Sequence, residues 1–233
     1  MVLLCGKRKG MLMETKEDIR FKDRITKTEY TSLIRELINA IDSGENALKS
    51  ILFGTMEPEL YAAHGTYKEG GHNRCGGLSG DRFTEKRLCR CMYYKNGKYY
   101  NSNDCEKCEF QDRFAIIGDY QITDYEVPAY FYGTGIGEID LIISDGTIQY
   151  ATELKAFKGN DETLLRMVSQ IMTYTAGYPA GQYQKAIAFF EGTTQADEFV
   201  QSSPEMAELF QKGNITVFCF KKVNEKAYKI CKL

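Results

Sequence analysis

A chain of 233 residues can bury a full hydrophobic core, as one decorated domain or as one domain plus a small module. Its apolar fraction of 43% and charged fraction of 27% are those of an ordinary globular protein, and no stretch approaches the roughly 20 apolar residues of a membrane-spanning helix. A formal net charge of −2 excludes a global basic field for nucleic acid, so any such affinity has to be local.

At the amino end, Val2-Leu3-Leu4-Cys5 precedes the basic run Lys7-Arg8-Lys9. That apolar run is too short, and on the wrong side of the charge, for a secretory signal; the expected compartment is the cytoplasm. Residues up to about Lys27 have no clear period. From Thr28, residues Tyr30, Leu33, Ile34, Leu37, Ile38 and Ile41 recur at i, i+3, i+4 spacing and predict a helix over 28–42. Thr26 or Thr28 can cap its start, and Ser43 and Gly44 stop it. A short second helix is expected over Glu45–Phe53.

Residues 65–108 read differently, gathering glycines, charges and five of the eight cysteines with little apolar periodicity. Cys89 and Cys91, then Cys105 and Cys108, have the two-pair spacing of a structural zinc site, with Cys75 or His72 able to replace one ligand. Disulfides do not suit a chain without a secretion signal. A metal would fold a segment too polar to make its own core. Between Arg82 and Asn101, the cations Arg82, Lys86, Arg87, Arg90, Lys95 and Lys98 stand against the single Glu85, interleaved with Phe83, Tyr93, Tyr94, Tyr99 and Tyr100. Such a stretch can neutralise phosphates and stack on bases, or it can be a solvated Tyr-rich surface hairpin turning at Asn96 and Gly97.

From Phe114 onward, strand-like and helix-like segments alternate. Strands are expected over 121–131, 138–144 and 148–157, with Asp145-Gly146 as a hairpin turn. A helix follows over 161–178, capped by Asn160 or Asp161, then a strand over 185–190, a helix over 204–211 and a strand over 215–221. The order β-β-β-α-β-α-β implies a mixed central sheet flanked by helices, an α/β fold.

The chemistry gathers on two of those strands. Side chains alternate along a strand, so Glu138 and Asp140 point one way, as do Glu153 and Lys155. The turn makes the strands neighbours, so carboxylates from both can converge beside a lysine. Two carboxylates form a hard-oxygen site for Mg²⁺ or Mn²⁺, which polarises a phosphate and acidifies a bound water. A lysine there can orient the water or offset charge developing on phosphorus. The plainer reading is a surface hairpin with cross-strand Glu–Lys pairs.

Asp140, a twelve-residue gap and then Glu153-Leu154-Lys155 resembles the D…(D/E)-x-K signature of the PD-(D/E)XK nuclease superfamily. Gln170 and Tyr174, four apart on the next helix, look like the Q-x-x-x-Y motif of its RecB-like and Cas4-like branch. Ile139 stands where the superfamily's name has Pro. The resemblance covers about residues 121–190 and implies a restriction-endonuclease-like fold and Mg-dependent hydrolysis of DNA phosphodiesters, RNA being a second candidate substrate. It implies Asp140, Glu153 and the Leu154 carbonyl as metal ligands, Lys155 as the assistant of the water, and Gln170 and Tyr174 as supports. An additional carboxylate often comes from an upstream helix in such proteins; Glu109 is the first choice, with Glu36, Glu59 or the strand residue Glu138 as others. An iron–sulfur cluster is the rival to zinc, but the four upstream cysteines sit together rather than flanking the core, which favours zinc. Many endonucleases of this superfamily pair as homodimers.

The expected organisation is thus a helical region over 1–64, a zinc-binding segment over 65–112 and a nuclease core over 113–233, with the 28–42 helix packed on the core. The alternative function is a catalytically silent nuclease-like module that recognises nucleic acid through the zinc segment.

Overall fold

A computed structural model describes residues 27–54, 85–96, 114–129, 137–156, 162–176 and 178–233. It is a mixed α/β protein, with a seven-stranded sheet and six helices among the described residues. In chain order the elements are α1 (Lys27–Asp42), α2 (Glu45–Phe53), α3 (Glu85–Asn96), β1 (Ala115–Ile117), β2 (Gln121–Pro128), β3 (Glu138–Ser144) and β4 (Gln149–Lys155). Then come α4 (Leu164–Thr175), β5 (Gln184–Phe190), α5 (Thr194–Val200), α6 (Pro204–Lys212), β6 (Ile215–Asn224) and β7 (Ala227–Lys232).

The strand order is β1-β7-β6-β5-β4-β3-β2. The strands β4, β5 and β6 run parallel, as the α4 and α5–α6 crossovers between them require. The β2–β3, β3–β4 and β6–β7 pairs are antiparallel hairpins, and β1 lies parallel to β7 at the edge. At the β3–β4 turn, Gly146 adopts φ 91°, and Asp145 Oδ1 accepts from the amides of Thr147 and Ile148.

Period-two alternation divides the core. Ile142, Ala151, Ile187, Phe189, Val217 and Cys219 face α1, α2, α4, α5 and α6, with Ile34, Leu37, Ile171 and Leu209 packed on them. Leu141, Ile143, Tyr150, Leu154, Phe190, Phe218 and Phe220 face the other way, beneath α3. Tyr125 and Leu141 lie on the α3 side whereas Val127 and Ile139 lie on the α4 side. The β2–β3 ribbon therefore turns over around Glu126, whose φ of 48° is rare for a residue with a Cβ.

Three expectations need correcting. The stretch from Glu85 to Asn96 is helix, not hairpin: Leu88, Cys89, Met92 and Tyr93 fall at helical spacing and are all buried against the sheet. Residues 85–96 thus contribute to the core rather than stand apart in a polar segment. The helix after β4 starts at Leu164, because Thr163, not Asn160 or Asp161, accepts from the Arg166 amide as its N-cap. Finally, α5, β1 and β7 were missed; in β7 the lysines at 229 and 232 obscure the buried Ala227 and Ile230. No helix among the described residues is long and apolar enough to cross a membrane.

Candidate active site

The ladder between β3 and β4 is regular from Ser144↔Gln149 to Leu141↔Thr152. One residue further, the Leu154 amide donates to Asp140 Oδ2 at 2.8 Å, so a side chain takes over from the ladder. Asp140 thereby sits where the two strands part, at the carboxyl end of β4, and that end of parallel strands is where open α/β sheets place their ligands.

Glu153 and Lys155 occupy alternate positions of β4 on the α4 side and are almost wholly buried, at 2% and 5% exposure. Lys155 Nζ lies 2.8 Å from Glu153 Oε1, 3.4 Å from Glu85 Oε2 and 3.3 Å from Glu162 Oε2. Glu85 opens α3, and its other oxygen accepts from the Ala156 amide at 2.6 Å, just where β4 leaves the sheet. Glu162 stands two residues before α4. Three carboxylates thus contact one ammonium group, and the charge of Asp140 acts on it from nearby.

The electrostatics follow from that ratio. Burial alone pulls Lys155 down, but Glu153, Asp140, Glu85 and Glu162 together hold it well above the ordinary lysine value. At an effective dielectric constant near 20, each of the three ion pairs supplies a Coulomb attraction of about 5 kcal/mol, which opposes the desolvation of the ammonium. One cation cannot serve four anions. Burial pushes Asp140 up to about 6, a rise that Lys155 and the Leu154 amide limit. Glu153 is raised well above the carboxylate range by burial first and by Asp140 second. Fully ionised, the four carboxylates outnumber Lys155 and the Arg166 that also reaches Glu162 by two negative charges.

A hard divalent cation fits this donor set, which is all carboxylate oxygen and short of positive charge. As the side chains stand, no three His, Cys, Asp or Glu groups among the described residues close round one point. Lys155 Nζ lies among the carboxylates instead and acts as their counter-ion.

The remaining expected residues divide. Tyr174 lies on α4 with its hydroxyl over Gly137, where a Cβ would come within 2.9 Å of it. Burial, then the charge on Glu153, raise Tyr174 above the usual tyrosine value, and Gln170 Nε2 approaches its hydroxyl at 3.5 Å. The Gln170–Tyr174 pair therefore flanks the carboxylate group from the helix above. Glu138 does not join it: its carboxylate is held by Lys86 at 2.9 Å, and Lys86 also reaches Glu126 at 3.5 Å. Glu36 is exposed on α1, among the residues of a groove with Ser32 and Asn39, and not at this site. Glu109 and Glu59 lie outside the described residues.

The helical form of 85–96 alters the other expectations. Cys89 and Cys91, two apart on α3, project from different sides of the helix, so the expected ligand knuckle is not formed. Cys89 is 1% exposed in the apolar layer under α3, and burial raises its thiol pKa. Cys105, Cys108, Cys75 and His72 lie outside the described residues. Of the basic and aromatic stretch, the side chains described are those of 85–94. Tyr93 and Tyr94 are buried, packed edge-on to each other and against Tyr125, and burial pushes the Tyr125 hydroxyl pKa up while the nearby Arg90 charge limits the rise. Arg87 is half-buried, Lys86 is ion-paired, and Arg82 and the side chains of Lys95 and Lys98 lie outside the described residues.

Sequence reasoning missed Glu85 and Glu162. Glu85 could have been found from the helical spacing of Leu88 and Met92 behind it, which makes it the opening residue of a helix. For Glu162 no local signal exists; its placement depends on α5, where Gln195 Nε2 donates to the Glu162 carbonyl at 2.6 Å.

No protein-family model matches the chain, and no curated protein is significantly similar to it. Among solved structures, SfsA of Pyrococcus furiosus in complex with Ca²⁺ is a distant neighbour, at 13% identity and a TM-score of 0.26. That match covers 49% of this chain and spans about half (53%) of the SfsA chain.

Proposed function

We propose that this chain is a metal-dependent nuclease with a restriction-endonuclease-like core, hydrolysing DNA phosphodiester bonds at the group formed by Asp140, Glu153 and Lys155. The observation that carries the reading is the convergence of Asp140 and Glu153 from adjacent strands around one buried lysine, with more negative charge than that lysine can balance. A surface hairpin with cross-strand pairs would leave these groups in solvent, where they would gain little from one another.

In this reading Asp140, Glu153 and the Leu154 carbonyl hold Mg²⁺ or Mn²⁺, with Glu85 beside them. When bound, the cation supplies a water of lowered pKa and a counter-charge for the phosphate. Lys155, no longer needed to neutralise the carboxylates, holds the attacking water or a phosphate oxygen through its N–H groups. Glu85, anchored by the Ala156 amide, fixes the point where β4 leaves the sheet and so the position of Lys155. Tyr174 and Gln170 limit the cleft on the α4 side.

The test is cleavage of supercoiled plasmid and of labelled single strands with Mg²⁺, Mn²⁺ or a chelator. Wild type should cut only with the metal, and Asp140→Ala and Lys155→Ala should each lose at least about a hundredfold in rate, the scale of a lost acid–base or electrostatic contribution. Cleavage that persists in both variants contradicts the assignment. Nucleic-acid binding without any cleavage would favour a silent binding module.

A further inference from the structure

Arg166 takes no part in the reading above. It lies in the first turn of α4, its side chain 29% exposed, with Nη2 3.4 Å from Glu162 Oε1. The other oxygen of the same carboxylate, Oε2, is 3.3 Å from Lys155 Nζ. Glu162 therefore bridges two cations, one buried and one open to solvent, through its two oxygens. A phosphate diester has the same means of doing this, with two non-bridging oxygens sharing one negative charge, and guanidinium groups suit them.

The anchoring of Glu162 leaves its side chain able to yield. The Glu162 carbonyl is held by Gln195, which is fully buried in α5. The next residues are held too, since the Leu164 amide donates to Glu198 Oε2 and the Leu165 amide to the Tyr30 hydroxyl. The backbone is fixed from α1 and α5 while the carboxylate keeps 24% exposure, so rotation about its side-chain bonds is enough to release both cations.

We infer that the Glu162 carboxylate occupies the place of a substrate phosphate, and that Arg166 is a substrate-binding residue which, with Lys155, takes over that phosphate when nucleic acid displaces Glu162. The inference rests on the proposed nuclease reading and extends it by assigning a phosphate contact and an internal competitor for it. Glu162 costs the enzyme affinity, and in exchange keeps two cations compensated when no substrate is present.

The experiment is Mg²⁺-dependent cleavage kinetics over a range of salt for wild type, Arg166→Gln and Glu162→Gln. Arg35→Gln serves as control, its side chain being 65% exposed on α1 and paired with Glu205. Arg166→Gln should raise KM about tenfold with kcat little changed, and lower the slope of log affinity against log salt by about one, as expected for one lost phosphate contact. Glu162→Gln should lower KM, and Arg35→Gln should behave as wild type. If wild type cleaves but Arg166→Gln keeps its KM and salt slope, the inference fails and the nuclease reading stands. A rise in KM for Glu162→Gln likewise overturns it. If wild type cleaves no substrate, both fall together.

Discussion

In the proposed reading Asp140 carries two opposed demands, since a bound cation would need its charge and burial disfavours it. Its pKa rises from 3.8 to about 6 on folding, chiefly through burial. The folded chain therefore holds a proton that the unfolded chain releases between those values, and stability falls as pH climbs from about 4 to about 6. Asn in its place keeps an acceptor for the Leu154 amide and removes the charge. Asp140→Asn should thus melt higher than wild type at pH 7.5 in chelator and equally at pH 4; a lower melting temperature at pH 7.5 contradicts the account. The same raised values for Asp140 and Glu153 mean that a divalent cation competes with protons, so Mg²⁺ affinity should weaken as pH falls through about 6, with proton release measurable by calorimetry in buffers of different ionisation enthalpy. Gly137 makes a steric prediction. A Cβ there meets the Tyr174 hydroxyl at 2.9 Å and the ring carbon behind it only at 3.4 Å. Gly137→Ala should displace Tyr174 and depress cleavage several-fold, and adding Tyr174→Phe should restore much of the loss in the double variant. Absence of rescue would mean the ring is not what Ala strikes.

At the scale of elements, α4 is positioned chiefly at its first turn. Thr163 accepts the Arg166 amide, Glu198 the Leu164 amide, and the Tyr30 hydroxyl the Leu165 amide while itself donating to Glu198 at 2.7 Å. These satisfy helix N–H groups that have no partner within the helix. Tyr30→Phe leaves the Leu165 amide and Glu198 short of a partner each and should cost about 1–3 kcal/mol in urea unfolding; a loss below experimental error would show that water replaces the hydroxyl. Elements of this kind were legible where one period dominated. The apolar face of α1 and the alternation of β3 and β4 announced themselves, and so did Asp140, Glu153 and Lys155, because two strands joined by a tight turn convert spacing directly into proximity. In α3 the period is present in Leu88 and Met92, but charges at positions 85, 86, 87 and 90 outweigh it in any reading by composition. Glu85 stayed hidden for a second reason. Seventy residues separate it from Lys155, and nothing in the sequence between them fixes where α3 will lie.

Across the whole molecule, the sheet separates two unequal layers: five helices on the α4 side and, among the described residues, α3 alone on the other. On that other side the layer is largely aromatic, with Phe190 stacked on Phe220 and Tyr150 edge-on to Phe218. Because α3 both covers this layer and delivers Glu85 to the site, damage to its buried face should reach catalysis through position. Met92→Ala, at a fully buried residue, should cost about 2–5 kcal/mol in unfolding and also lower cleavage below the folded-protein level. Full activity per folded molecule would separate α3 from the site. The mixed sheet with flanking helices followed from the alternation of patterns along the chain, whereas the pairing of β1 with β7 did not. That pairing joins residues more than a hundred positions apart, and β1 has three residues.

The central claim is that Asp140 and Glu153 form a cation site whose excess charge Lys155 alone cannot balance. Mn²⁺ titration followed by electron paramagnetic resonance tests it without requiring the right substrate. The account predicts that wild type at pH 7.5 binds Mn²⁺, that Asp140→Asn and Glu153→Gln each weaken binding at least tenfold, and that the double variant abolishes it. Equal Mn²⁺ binding by wild type and the double variant would contradict the account.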